Sequence, residues 1–325
     1  MSASTFRMYR AIPGAALKDS DTKNGALLFP SLTTTVPKEL VHRASIAEVM
    51  LTDWMRVSDD HFTIDAQWPR AHSFFTAVDG CHDPLIVAET IRQAGILLAH
   101  AEFSVPLDHQ FLMWDLAVTV DPANLRVAST PSSVSLEIFC KDIKYRRNEL
   151  AGFHYDVVIR LDDQIAATGG ATFSCASGKV YERLRGDRRE KLQRQLPLTA
   201  PTAPQDVGRV SPMDVVLSPI GEPNRWQLRL DTRHPVLFDH PVDHVPGMVL
   251  LEAARQAAVE ALGHSLPIAI TSEFQRYVEL DAPCVIEVCR VAGTHADGGG
   301  SVLVTGRQYD ETVFRSTVTM APTPA

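Results

Sequence analysis

The chain has 325 residues, about twice the usual domain size of roughly 150, so two domains or one large one is expected and a single small module is excluded. With 45% hydrophobic and 22% charged residues it carries enough apolar material for full-sized cores, which rules out a disordered or fibrous chain. Lys and Arg number 31 against 39 Asp and Glu, and the net charge of −8 argues against a surface built to neutralise nucleic-acid phosphates.

Residues 1–35 are rich in Ser, Thr, Lys and Pro without a hydrophobic period and read as an N-terminal arm. Met1 to Gly14 lacks a secretory apolar core, and no run of about 18 apolar residues occurs, so the expectation is a soluble, cytoplasmic protein with no membrane segment. A first domain is placed at 36–178. In it Phe62, Ile64, Ala66 and Trp68 alternate with Thr63, Asp65 and Gln67, the period of a half-buried strand, and His72 follows. Pro84 to His100 predicts a long apolar helix with Asp83 as N-cap and Pro84 at its first position. Asp162-Asp163 then separates two strands, Val157–Leu161 and Ile165–Phe173. Residues 179–211 read as a basic, Pro-containing linker: Arg183, Arg185, Arg188, Arg189, Lys191 and Arg194 run into Pro197, Pro201 and Pro204. A second domain, 212–325, repeats the order: Trp226, Leu228 and Leu230 alternate, His234 follows, Pro246 to Leu262 is apolar, and Asp310-Glu311 separates Val302–Thr305 from Thr312–Met320. The five cysteines (Cys81, Cys140, Cys175, Cys284 and Cys289) contain no Cys-x-x-Cys pair and indicate neither a disulfide framework nor a zinc site.

One unit thus occurs twice. A helix as apolar as Leu85-Ile86-Val87-Ala88 or Met248-Val249-Leu250-Leu251 needs cover on nearly every side, which a curved antiparallel sheet wrapped round it would supply; the predicted class is α+β. Each helix carries the same polar cluster, Glu89, Arg92, Gln93, Ala94 and Glu252, Arg255, Gln256, Ala257. At about 100° per residue the three polar side chains share one narrow face. As an ion pair on a solvated edge, such a Glu–Arg spacing would be worth only a few tenths of a kcal/mol. Its recurrence on two buried helices argues instead for a stripe that reaches solvent, a partner or a substrate. The run Ile96 to Ala99 reads as core rather than as an acyl tunnel.

The approach to the second helix runs His234-Pro-Val-Leu-Phe-Asp-His240-Pro-Val-Asp-His244-Val-Pro246-Gly247, followed by four apolar residues and Glu252. It resembles the hotdog fold of hydroxyacyl-thioester dehydratases, in which a His and a Glu act on an acyl thioester. Two copies of Glu-x-x-Arg-Gln-Ala, with Asp83-Pro84 ahead of the first, look more closely like the A-factor biosynthesis family of γ-butyrolactone synthases from actinomycetes. Val41-His42-Arg43, Leu51-Thr52-Asp53-Trp54, Val105-Pro106, His109-Gln110-Phe111-Leu112 and Tyr181 to Asp187 resemble that family too, so the likeness runs from about residue 38 to 320.

The resemblance implies a tandem, double hotdog fold. It also implies an acyltransferase that moves a β-ketoacyl group from an acyl-carrier-protein or coenzyme A thioester to the hydroxyl of dihydroxyacetone phosphate, with no cofactor or metal. The phosphorylated ester closes to a butenolide, precursor of a γ-butyrolactone signal. Glu252, Arg255 and Glu89 are the implied catalytic residues, with more weight on the second half; Arg92, Gln93, Gln256, Gly247, His240 and His244 are implied to bind substrate. Glu252 would take the hydroxyl proton, its pKa raised by partial burial. Arg255 would grip the phosphate, and the helix N-terminus at Gly247 would hold the oxyanion. His234 rivals His240 and His244. Two pseudo-symmetric pockets sharing a seam are expected. The basic stretch is read as a solvated linker, with docking of an acidic carrier protein as the sharper alternative. Rival functions are a dehydratase of the same fold and a non-catalytic acyl-thioester or signal-binding protein. Chain length of the acyl group, the active pocket and the oligomeric state stay open.

Overall fold

A computed structural model describes residues 33–186, 196–263, 266–291 and 299–322; most of the arm, and Arg188, Arg189, Lys191 and Arg194 of the basic stretch, lie outside the described residues. The first repeat contributes β1 (Leu51–Arg56), β2 (His61–Trp68), α1 (Pro84–Ala101), β3 (Gln110–Val120), β4 (Ser132–Arg146), β5 (Glu149–Leu161) and β6 (Gln164–Ala176). After α2 (Gly178–Arg185) the second contributes β7 (Leu217–Pro219), β8 (Arg225–Leu228), α3 (Gly247–Leu262), β9 (Pro267–Phe274), β10 (Val285–Arg290), β11 (Gly300–Gln308) and β12 (Glu311–Met320).

The strands form one twelve-stranded sheet in the order β1-β2-β4-β5-β6-β3-β9-β12-β11-β10-β8-β7. Adding six to every label of the first half generates the second in mirror sequence, so the repeat seen in the residues is a repeat of topology. The halves join by antiparallel pairing of β3 with β9, centred on Ala117 opposite Thr271. On β2 the residues Phe62, Ile64, Ala66 and Trp68 all face the core, as their alternation requires. Asp162 and Asp163 (φ 46° and 62°) make the first predicted turn. The second falls on Tyr309 and Asp310 (φ 53° and 61°), one residue earlier than expected, because Glu311 already opens β12. Left-handed residue pairs of this kind match the twist of the strands they join.

Each sheet half curves round its helix: α1 packs on strands of the first half and α3 on β7 and β9 to β12, and the helices touch each other. Asp83 caps α1 by accepting a hydrogen bond from the Leu85 N–H at 2.9 Å. Mid-helix, Gly95 admits the Tyr155 ring; a Cβ there would stand 2.5 Å from its hydroxyl, which donates to the Ile91 carbonyl at 2.8 Å. Ahead of β1 a short 3-10 helix (Lys38–Val41) leads to Arg43, and its counterpart (Pro204–Val207) leads to Arg209. Both α2 and this second 3-10 helix fall within the segment read as linker, so the second module begins inside it. Among the described residues no helix is long and apolar enough to cross a membrane.

Candidate active site

The polar stripes are not solvated. Glu89, Gln93, Glu252, Arg255 and Gln256 are at most 1% exposed, and each cluster is satisfied from within the chain. Gln93 accepts from the Met50 N–H (3.0 Å) and donates to the Glu48 carbonyl (2.7 Å) and to Glu89 (2.6 Å). Gln256 does the same with the Val216 N–H (3.0 Å), the Asp214 carbonyl (2.8 Å) and Glu252. These glutamines therefore pin each helix to the segment entering its module. Arg92 grips Glu89 through Nε and Nη2 (2.9 and 2.8 Å), and Arg255 grips Glu252 (3.0 and 2.6 Å).

A second guanidinium, which the motif did not reveal, completes each cluster. Arg43 donates through Nε to Glu89 at 2.9 Å and pairs through Nη2 at 2.6 Å; Arg209 holds Glu252 at 2.8 and 2.7 Å. Each also crosses the seam, Arg43 to the Val236 carbonyl (3.3 Å) and Arg209 to the Phe74 carbonyl (2.6 Å). The signal available in the sequence was a short repeat, Val41-His42-Arg43 and Val207-Gly208-Arg209, and in the structure both middle residues end a 3-10 helix in left-handed conformation.

This overturns the expectation that Glu252 has a raised pKa. Desolvation alone would raise it, but the charges of Arg209 and Arg255 and their hydrogen bonds outweigh burial and hold the carboxyl at about 2; Arg43 and Arg92 do the same for Glu89. With their oxygens occupied by guanidinium and amide donors and their pKa held low, both glutamates are ionised at neutral pH and are weak bases. Because the folded pKa is depressed, this stabilisation is complete above the unfolded value near 4.5 and is lost as pH falls from there towards 2. The melting temperature is therefore expected to be flat from pH 7 to about 5 and to drop steeply below about 4.5; a scan that stays flat to pH 3 would contradict the pairing.

The two halves differ where their helices begin. At α1 Pro84 has no N–H and the Asp83 carboxylate occupies the Leu85 N–H. Asp83 also lies 3.9 Å from Arg209, whose guanidinium sits 4.1 Å above the Phe74 ring. Two buried carboxylates thus face two buried guanidiniums, and the space in front of the α1 N-terminus is filled. At α3 the equivalent positions are Pro246 and Gly247, with no side-chain cap, leaving the Gly247 and Met248 N–H groups open. In front of them lies a cavity of about 630 Å³. Its polar wall combines this N-terminus with His42, Arg43 and Arg92, and its apolar wall includes Ile96, Phe111, Phe173 and Leu251. Asp239, whose charge also reaches Arg92, is held by the N–H groups of Ala44 and Ser45 (2.5 and 3.1 Å).

Of the residues expected in the site, Gly247, Arg92, His240 and His244 line the cavity, whereas Glu252, Arg255, Gln256, Glu89 and Gln93 do not. The two clusters differ in access: Arg255 is sealed against Glu252 beside Arg209, while its first-half counterpart Arg92 keeps 19% of its side chain accessible. Ile96 is buried, as the core reading expects, and also lines the cavity, while Leu97, Leu98 and Ala99 are fully buried. His234 is structural, since Nδ1 accepts from the Val236 and Leu237 N–H groups (3.2 and 3.0 Å) and Nε2 faces Asp214. His72 repeats this pattern in the first half. His244 is fixed by Asp243 (2.7 Å), which also binds Tyr181 and Arg185 of α2; His240 sits at the rim.

Six strands curved round one central helix, twice among the described residues and with the N-terminus of the second of these helices uncapped, define a tandem hotdog protein. The same fold occurs in a putative oleoyl thioesterase of Lactobacillus plantarum, with a TM-score of 0.53 and 10% identity over 81% of this chain and 96% of that one. The chain belongs to the A-factor biosynthesis hotdog domain family, which matches residues 28–177 and 191–324. A 2-oxo-3-(phosphooxy)propyl 3-oxoalkanoate synthase of Streptomyces virginiae is 53% identical over 286 residues, covering 87% of this chain and 96% of that protein. The protein of the same name from Streptomyces griseus is 42% identical over 288 residues, covering 87% and 94%.

Proposed function

We propose that this chain transfers a β-ketoacyl group from a thioester to the hydroxyl of dihydroxyacetone phosphate, giving the phosphorylated ester that closes to a butenolide on the way to a γ-butyrolactone signal. The reading rests on family membership and on one observation: a single cavity brings the open N-terminus of α3 together with the partly accessible side chain of Arg92. Its volume of about 630 Å³ is in the range of small-molecule sites. The acyl chain lies against Ile96, Phe111 and Phe173. The thioester carbonyl points at the Gly247 and Met248 N–H groups, which stabilise the oxyanion formed on attack. Arg92, backed by Glu89 and Arg43, takes the phosphate, because a planar fork matches its oxygens. Glu89 thus acts by holding arginines rather than by moving protons.

The donor arrives on an acyl-carrier protein or coenzyme A, which places the protein in the cytoplasm where such thioesters are made. We assign an acidic carrier to the exposed basic face of α2 at Arg183, whose neighbours Leu184 and Arg185 line the cavity, Arg185 being itself paired with Asp243 and Glu279. A dehydratase would leave Arg92 without a task. Purified protein given a β-ketoacyl thioester and dihydroxyacetone phosphate is expected to form the phosphorylated ester or butenolide by mass spectrometry. Free β-keto acid as the sole product would defeat the reading and indicate a thioesterase.

A further inference from the structure

His42 occupies a position at which the second half of the chain has no side chain. It ends the first 3-10 helix in left-handed conformation, φ 51° and ψ 53°, and its counterpart in the second half is Gly208 at φ 68° and ψ 31°. Glycine adopts that conformation without the Cβ clash that other residues meet there. A histidine retained at such a position, with its ring on the wall of the cavity, points to a task for the imidazole.

The ring's hydrogen bonds fix its tautomer. His100, near the end of α1, approaches the Val105 carbonyl through Nδ1 at 2.7 Å. A carbonyl only accepts, so Nδ1 of His100 carries the proton and its Nε2 is left as an acceptor. Nε2 of His42 lies 2.8 Å from that nitrogen and is therefore the donor. The remaining nitrogen of His42, Nδ1, is a lone pair with no hydrogen-bond partner among the described residues. Phe111 stands edge-on to both rings at 5.2 Å and closes the pair on its apolar side.

Resting on the transferase reading above, we propose that His42 is the proton acceptor of the reaction and that His100 is its positioning residue. The acceptor hydroxyl attacks the thioester carbonyl carbon as its proton passes to Nδ1 of His42. The tetrahedral intermediate collapses, the C–S bond breaks, and Nδ1 returns the proton to the departing sulfur. Ester and thiol are formed and the imidazole is neutral again.

The groups around the imidazole add a condition. Burial, then His100, Arg92 and His240, lower its pKa to about 3, which makes the imidazole by itself a weak base. A phosphate dianion seated on Arg92 offsets that guanidinium's charge and strengthens the base only when the acceptor is present. Water alone is then poorly activated, which favours transfer over hydrolysis.

The test is His42→Gly, which copies Gly208 and relieves the backbone. The expected protein stays folded, keeps its KM for dihydroxyacetone phosphate within about threefold, and loses ester formation by about 10²-fold or more. Added imidazole restores part of the rate. His100→Phe is expected to lower kcat about tenfold and shift its pH profile, with KM unchanged. A folded His42→Gly enzyme that keeps its rate within threefold, or whose loss is all in KM with no response to imidazole, overturns the proposal. A wild-type protein that releases only free acid would instead sink the transferase reading itself.

Discussion

A Glu252→Gln variant is expected to be destabilised by about 3 kcal/mol or more and yet, while folded, to keep the kinetic constants of the wild type. Glu252 is the common anion of Arg209 and Arg255, and all three are nearly inaccessible. Removing its charge leaves two guanidiniums facing only Asp83 in a place water does not reach, where an uncompensated ion is costly. The cavity, however, takes from this half the start of α3, the loop before it, the end of β9 with the loop after it, and the β11–β12 turn, not the Glu252 cluster. Chemical denaturation with steady-state kinetics on the same preparation separates the two effects. A variant of normal stability with a large loss of turnover would restore Glu252 to the reacting atoms and contradict the burial argument.

Arg92→Ala is expected to do the reverse. Glu89 keeps Arg43 as a full partner, so a neutral buried pair remains and the melting temperature should move little. What disappears is the guanidinium that reaches the cavity. Truncating one charge-assisted partner costs about 2–5 kcal/mol, and each 1.4 kcal/mol is tenfold, so KM for dihydroxyacetone phosphate should rise about 10²-fold while the KM for the thioester stays near its original value. Arg92→Lys should recover part of this loss, because an ammonium supplies charge without the fork. Unchanged dependence on the phosphorylated acceptor would remove Arg92 from the phosphate site.

The contrast between these variants marks what the sequence could and could not convey. Strand alternation at Phe62 to Trp68, the Asp83-Pro84 helix start and the Asp162-Asp163 turn are decided by near neighbours, and all were legible. So was the doubling, because the Glu-x-x-Arg-Gln-Ala motif repeats with its surrounding elements. The ionisation state of Glu252 was not, because it depends on Arg209, 43 residues earlier, which enters the cluster only through folding. Which helix N-terminus stays open was written at Pro84 and Gly247, but its meaning came from Phe74 and Arg209 occupying the first one across the seam. Likewise His42 lay within a segment that resembled the family, yet its role emerges only beside His100 and its glycine counterpart. Duplication thus left one module set of charges as a balanced buried lock and the other as the wall of a site.

The central claim, one working cavity built from the α3 N-terminus and the first-half arginines, is tested most directly by counting binding sites. Equilibrium dialysis of labelled dihydroxyacetone phosphate against the full chain, with a non-transferable β-ketoacyl thioether present, should give one molecule bound per chain. Binding should be lost in Arg92→Ala and kept in Glu252→Gln. Two equivalent sites, or binding that survives Arg92→Ala and vanishes in Glu252→Gln, would contradict it.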